Sequence, residues 1–372
     1  MEPRTYEAAV ALRHELHMHP ELSNQETWTK AHLMEFLRAH TKLELVDRGT
    51  WFYAAYRTDP SKPKIAFRAD FDAIPVEETM PLPYASTIPG VSHKCGHDGH
   101  SASLAALAME IERVGSENNV FFVFQHAEEN GSGAMVCASM IKEEGVDEIY
   151  AYHIAPGIPF GSVATTRGNF SCASTGMSIY FTGTPAHACN PGAGRSPAQA
   201  IARMVRAIPD IHRAEDYKGF VLCTLIQIDV GEKAFGTAAS KGVLRLTLRG
   251  SIEDEMWQMR DRLILMAHAM SAEYGLQYSV EYEDYFPENP NHPEQVDKVC
   301  RACEKLEIPV ELFTLPVSGS EDFGYFTKET AGAYFYIGAG DIPEIHTSLF
   351  DFPDGIIKPA VAIFMELAGT KQ

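Results

Sequence analysis

The sequence predicts an α/β protein: a mostly parallel sheet with helices on both faces, into which a smaller α+β domain of βαββαβ order is inserted. Three observations carry that reading. Short apolar runs rich in Val, Ile, Phe and Tyr alternate with helix-period segments, the pattern of strands covered on both faces. From residue 168 to 285 this alternation gives way to a strand, a helix, two strands, a long helix and a strand. At 372 residues, the chain is also longer than one hydrophobic core commonly supports, so two domains are expected.

Four apolar runs define the main sheet: KIAFR at 64–68, NVFFVFQ at 119–125, EIYAYHI at 148–154 and AYFYIGAG at 333–340. Each is nearly continuous in apolar character and bounded by polar or turn residues, which suits a strand buried on both faces better than a helix. Asp70 and Asp72 follow the first run, Glu128 and Glu129 follow the second, the third closes on His153, and a short loop leads from the fourth to His346. Ligands gather at the carboxyl ends of parallel strands in open sheets, so these side chains are expected at one edge. The middle segment reads TGMSIYFTG, SPAQAIARMVRAI, FVLCTLIQIDV, GVLRLTLRGS, EDEMWQMRDRLILMAHAMSAEYG and LQYSVEYED, a compact antiparallel sheet with two helices. The expected division is a discontinuous catalytic domain of residues 1–167 and 286–372, with a lid domain of residues 168–285 inserted into it.

Composition narrows the class of partner. A formal charge of −19 with no Lys/Arg-rich run argues against nucleic acid or an anionic membrane, both of which bind through clustered positive charge. The first twenty residues hold no unbroken apolar core of a leader, and no stretch of ~18 apolar residues occurs, so a cytoplasmic protein is expected. Seven cysteines without a disulfide-like spacing fit a reducing compartment. Cys300 and Cys303 form a C-x-x-C inside the helix-like run QVDKVCRACEKLEI and read as ordinary helix residues.

The densest chemistry is His93-Lys94-Cys95-Gly96-His97-Asp98-Gly99-His100, directly before the helix-like SASLAALAMEIERV. Cysteine, histidine and aspartate in a glycine-punctuated loop suit a metal site, because glycine frees the backbone to aim several ligands at one point. Alone, the same run also fits a surface turn. A second cluster, Gln125-His126-Ala127-Glu128-Glu129, places two carboxylates after a buried run. Adjacent residues of an extended backbone point in opposite directions, so one carboxylate could bind metal while its neighbour faces a water. Alone, an adjacent Glu pair is also a common solvated turn.

In combination these runs resemble the M20 metallopeptidases. HMHPELS at 17–23, RADFDAIP at 68–75, KCGHDGH at 94–100, QHAEE at 125–129, YHI at 152–154, PAHA at 185–188, GSEDFG at 319–324 and the His346 loop occur in that family's order, over nearly the whole chain. The similarity is greatest to the amidohydrolase branch of aminoacylases, hippurate hydrolases, indole-acetyl-amino-acid hydrolases and N-acetyldiaminopimelate deacetylases. The resemblance implies two divalent metal ions (Zn, Mn, Co or Ni), ligated by Cys95, His97, Glu129, His153 and His346. It also implies Glu128 as the general base acting on a metal-bound water. Asp70 or Asp72 would orient a ligand or tune that water, without a choice between them, and His187 in the lid would stabilise the oxyanion.

Two departures bear on the substrate pocket. Relatives usually carry an Asn-Val-Ile-Pro run in the lid, whereas this chain has Gly236-Thr237-Ala238-Ala239-Ser240, so the substrate-holding Asn is missing. Arg249 remains and could pair with a substrate carboxylate as a fork of donors, although an Arg at a strand end is also a plain surface charge. In the metal loop, Ser92 and Lys94 replace the usual Met and Ala. The expected activity is hydrolysis of the amide bond of small N-acyl amino acids, N-acetyl or aromatic acyl, by a protein that could be a homo-oligomer. The alternatives are a dipeptidase or carboxypeptidase with the same metals, or a silent metal-binding protein.

Overall fold

In the computed structural model, which describes residues 1–370, the chain forms two compact units. The first comprises Met1–Phe170, Asn289–Pro316 and the chain from Asp322 onward; the second comprises Ser171–Glu288 and Val317–Glu321. The first stretch carries α1 (Pro3–Met18), α2 (Thr27–His40), β1 (Glu44–Asp47), β2 (Phe52–Tyr56), β3 (Lys64–Asp70), α3 (His97–Val114), β4 (Asn119–Gln125), α4 (Gly133–Cys137), α5 (Ser139–Glu144), β5 (Glu148–Pro156) and β6 (Val163–Thr165). The second unit follows with β7 (Ala173–Thr182), β8 (Ala186–His187), α6 (Ala198–Ile211), β9 (Val221–Val230), β10 (Thr237–Ala238), β11 (Lys241–Gly250), α7 (Glu253–Tyr274) and β12 (Gln277–Phe286). The first unit is completed by α8 (Pro293–Lys305), β13 (Val310–Leu312), α9 (Gly324–Thr327), β14 (Ala331–Gly340) and α10 (Ile357–Ala368).

The first unit is built on an eight-stranded sheet of order β1-β2-β4-β3-β5-β14-β6-β13. Its centre, β4, β3, β5 and β14, is parallel, while β2 and β6 flank it antiparallel. The expected α/β class is therefore the observed one. The near-continuous apolar character of the central strands has a simple cause, since both of their faces are covered. Along β3, Ile65, Phe67 and Ala69 join the main cluster with α3 and α10, while Ala66, Arg68 and Asp70 are buried on the other face. Phe67 lies 4.7 Å from the ring of Phe364 on α10, and Phe52 stacks on Phe124 at 4.7 Å. Helix α3 is buried almost all round, and its alanines at 102, 105, 106 and 108 permit close approach to its neighbours. It begins at His97, one turn earlier than the run SASLAALAMEIERV suggests, so His97 is a helix residue rather than a loop residue.

The second unit is a four-stranded antiparallel sheet of order β12-β7-β11-β9, with a separate β8–β10 pair. Leu244, Leu246 and Leu248 alternate along β11 into one cluster with Met204 of α6 and Met256, Met259 and Leu263 of α7. Period-2 alternation puts Arg245, Thr247 and Arg249 on the opposite face. Cys300 and Cys303 lie on α8, as their surroundings suggest. Among the described residues, no helix is long and apolar enough to cross a membrane.

Beneath the loop of residues 93–100, the first unit buries an ion network. Arg13 approaches Asp98, Asp351 and Asp354 at 3.6, 2.5 and 3.3 Å. His17 Nδ1–H donates to Asp98 at 2.7 Å and Nε2–H to Glu78 at 3.2 Å. Lys94 Nζ completes it, on Glu78 and on the Phe350 carbonyl. Buried charges persist only when paired and hydrogen-bonded. Burial opposes charge on His17, but the bonds to Asp98 and Glu78 raise its pKa from 6.5 to about 9. Burial likewise opposes charge on Glu78, yet His17 and Lys94 hold it down at about 2 against an ordinary 4.5.

The signs define a window. A raised histidine contributes its full stability below pH 6.5 and loses it as pH rises through about 9, while a depressed glutamate contributes above pH 4.5 and loses it as pH falls through about 2. The pair is therefore strongest between pH 4.5 and 6.5. His17→Ala is expected to lower unfolding stability by about 3 kcal/mol at pH 6, the scale for breaking a buried charge pair. In denaturant titrations, the gap to the parent should narrow toward pH 9.

Candidate metal centre

The parallel strands deliver their carboxyl ends to one place. Asp70 closes β3, residues 126–129 follow β4, His153 lies near the end of β5, and the loop after β14 brings back His346. Between them enters Cys95, with Gly96 at a φ of 94°, a left-handed conformation that glycine adopts without a Cβ penalty. A Cβ there would also meet Ile154 at 3.0 Å. Helix α3 then starts directly on His97.

Cys95 Sγ stands 3.3 Å from His153 Nε2 and 3.3 Å from His346 Nε2. Glu129 Oε1 is 3.5 Å from His346 Nε2 and 3.8 Å from His97 Nε2, while Glu128 Oε2 is 4.0 Å from the same His97 nitrogen. All six residues thus meet in one cluster within the first unit. The route by which the two glutamates reach it differs from the sequence expectation. They do not lie on extended backbone but in a turn after β4, entered through Ala127 at a φ of 48°. Chain reversal, and not strand alternation, aims both carboxylates at His97. The turn is closed by Gly133, whose N–H donates to the Ala127 carbonyl at 3.0 Å. A Cβ on Gly133 would fall 1.7 Å from the His126 carbonyl oxygen.

The two aspartates occupy different positions. Asp72 accepts His97 Nδ1–H at 3.0 Å, the Glu129 N–H at 3.0 Å and the Ser23 hydroxyl at 2.8 Å. Asp70 accepts His100 Nδ1–H at 2.7 Å and Arg68 at 2.6 Å, and its Oδ2 lies 3.8 Å from His97 Nε2. His100 shares the KCGHDGH run, yet both its nitrogens are engaged, since Nε2 accepts the Ile154 N–H at 3.2 Å. Arg68, Gln125 and Asp322 are not among the residues expected at the site from the sequence. Arg68 bridges Asp70, Gln125 and Asp322, and Gln125 donates to Asp322 at 2.8 Å. Their signal was present, because each lies inside a quoted run (RADFDAIP, QHAEE, GSEDFG), but only the fold shows that they join.

The electrostatics favour a cation. Burial opposes charge on His97, yet Asp70, Asp72 and Glu129 raise its pKa to about 10. Burial, followed by His100 and His97, holds His153 well below its usual range; its Nδ1–H donates to the Ile154 carbonyl at 2.7 Å, leaving Nε2 toward Cys95. Burial, then Glu129 and Glu128, push the Cys95 thiol well up, so a thiolate there calls for compensating positive charge. His97 Nε2 and Glu129 Oε1 are buried without a hydrogen-bond partner, a costly state for polar atoms unless something else satisfies them. Soft sulfur, imidazole nitrogen and carboxylate oxygen together suit a divalent transition metal.

His187 and Arg249 belong to the second unit. His187 is exposed on β8, paired with Thr237, and its Nδ1 accepts the Cys189 N–H at 3.2 Å. Arg249 donates through Nη1 to the Ser318 carbonyl and the Ser320 hydroxyl, both at 2.8 Å.

Comparison with known proteins agrees with this chemistry. Residues 66–370 match Peptidase family M20/M25/M40. The chain is 26% identical over 377 residues to an N-acetyldiaminopimelate deacetylase of Streptococcus uberis, covering 96% of this chain and 98% of that protein. It is 26% identical over 365 residues to an N-acetylcysteine deacetylase of Bacillus subtilis, covering 96% and 95%. In fold it is similar to the Bacillus subtilis YXEP protein, a dinuclear metal binding peptidase from the M20 family, with a TM-score of 0.82, 24% identity, and coverage of 99% and 98%. The chain therefore belongs to Peptidase family M20/M25/M40 and is a metal-dependent amidohydrolase.

Proposed function

We propose that this protein hydrolyses the amide bond of small N-acyl amino acids, N-acetyl derivatives first, using two divalent ions and Glu128 as general base. One observation carries the reading. Cys95 is common to two ligand groups, Cys95/His97/His153 and Cys95/Glu129/His346, each with its donor atoms within 4.8 Å of one another. These would hold the two ions, Zn, Mn, Co or Ni. When bound, such ions lower the pKa of water toward ~7 and polarise an amide carbonyl.

The protein's own residues do the rest. Glu128, 6% exposed, takes the proton of the attacking water and returns it to the leaving amine. Asp72 fixes the ring of His97 through Nδ1, and the Ile154 carbonyl does the same for His153, the outer support that ligating histidines use. Asp70, held by Arg68 and His100, adds negative charge beside His97 Nε2. In this scheme His187 is the donor to the oxyanion and Arg249 the partner of the substrate carboxylate. The named activities of the deacetylase relatives support the N-acetyl preference.

The test is a hydrolysis screen of N-acetyl, N-benzoyl and longer N-acyl amino acids, beside free-amine dipeptides, with Zn, Mn, Co and Ni supplied in turn. Turnover of N-acetyl amino acids that is lost on chelation is expected. Turnover confined to dipeptides would overturn the substrate assignment, and metal-independent turnover the mechanism.

Two variants separate the adjacent glutamates. Glu128→Gln should retain its metals while kcat falls by at least ~10²- to 10⁴-fold, the contribution of general acid–base catalysis. Glu129→Gln should lose metal first, with activity partly restored at high metal concentration. Metal analysis beside single-turnover kinetics reads both, and the opposite pattern would exchange the two roles. His187→Ala should depress kcat by roughly 10²-fold with metal content unchanged, as loss of one oxyanion donor does.

A further inference from the structure

The run HMHPELS and the residues just after it contribute no ligand and no base, yet they pass beneath the site. Leu22 bridges to Ala73, and the Glu21 carbonyl accepts the Ala73 N–H at 2.9 Å, which lays the segment beside the chain that follows β3. The Glu21 carboxylate then accepts the N–H groups of Trp28 and Thr29 at 3.1 and 2.8 Å, anchoring the start of α2. Between these anchors stand Ser23, bonded to Asp72, and Glu26. Glu26 is 5% exposed, and its Oε1 accepts the Ala127 N–H at 2.7 Å, across 101 positions of sequence.

That contact falls on the most demanding residue of the glutamate turn. Ala127 has a φ of 48°, a left-handed conformation that is unfavourable for a residue with a Cβ. Glu128 and Glu129 follow it directly, so the direction of both carboxylates depends on its backbone. A buried N–H left without an acceptor would add to that cost. Glu26 removes the second cost and thereby holds the first in place.

We propose that Glu26 is a positioning residue: its carboxylate fixes the left-handed Ala127 and so sets how Glu128 and Glu129 face His97. The inference rests on the roles assigned above to the two glutamates. Reach, not charge, is what the contact uses. Glu26→Gln keeps an oxygen acceptor at the same distance without the charge, whereas Glu26→Asp keeps the charge but is one methylene short.

The test compares both variants with the parent by cobalt titration of the metal-stripped protein, followed through the visible absorption of bound Co(II), and by kcat and KM. Glu26→Gln should match the parent within about threefold in both. Glu26→Asp should bind Co(II) at least tenfold more weakly, with an altered spectrum, and lose at least tenfold in kcat at nearly constant KM, since misplacement of about 1 Å can cost up to ~10²-fold. Adding Ala127→Gly to Glu26→Asp should restore part of the loss, because glycine adopts the left-handed turn without support. A merely stabilising role would shift the melting temperature without moving the cobalt spectrum. Parent-like Co(II) binding in Glu26→Asp, or equal impairment of Glu26→Gln, would overturn the proposal. Because the cobalt titration needs no substrate, failure of the amidohydrolase reading would show separately, as absence of turnover by the parent.

Discussion

Four carboxylates, Asp70, Asp72, Glu128 and the half-buried Glu129, crowd one imidazole at the carboxyl edge of a parallel sheet, and the surrounding structure answers that concentration of negative charge. Each carboxylate has a compensating partner, and His97 serves three of them. Arg68 and His100 answer Asp70; His97, Ser23 and the Glu129 N–H answer Asp72. Glu128 and Glu129 face His97. In a low-dielectric interior such an arrangement holds only if positive charge can enter it, and the two ligand groups that share Cys95 offer places for it.

The sheet explains why these residues can meet at all. Parallel strands end together, so β3, β4, β5 and β14 each bring a chemically capable residue to the same edge by different routes: a strand end, a turn, a strand residue and a returning loop. The loop of residues 93–100 enters between them and must be held from below. Arg13, His17, Glu78 and Lys94 supply that floor as paired charges. Ser92 and Lys94, the departures from the family pattern, are both accommodated by hydrogen bonds, Ser92 to the Val76 carbonyl and Lys94 to Glu78 and the Phe350 carbonyl. Lys94 also accepts the His346 N–H on its own carbonyl at 2.7 Å, so one residue ties the loop of Cys95 to the loop of His346.

Much was legible in the sequence alone. Continuous apolar runs flanked by polar residues marked the central strands because burial on both faces removes alternation, and β4 was bounded to the residue, Asn119–Gln125. The order of the longer elements in the second unit was legible for the complementary reason, since one buried face leaves a period of two in Leu244, Leu246 and Leu248, whereas the short β8–β10 pair was not expected. The candidate residues were legible as types, because Cys, His, Asp and Glu beside glycine are the side chains that can hold a metal.

Tertiary structure alone decided what depends on direction and on distant partners. Extended backbone seemed sufficient reason for Glu128 and Glu129 to differ, but a left-handed Ala127 and a Cβ-free Gly133 make the turn that aims them, and no local pattern announces a positive φ at alanine. The sequence left Asp70 and Asp72 equivalent; their neighbours distinguish them, Asp72 lying behind His97 and Asp70 between Arg68 and His100. His100 stands in the same run as His97, but the Ile154 N–H and Asp70 occupy its two nitrogens. Residue type and spacing determine which groups can do chemistry, since those are properties of the side chain. Which of them are free to do it is set by hydrogen bonds to residues up to 254 positions away, and such bonds exist only once the chain has folded.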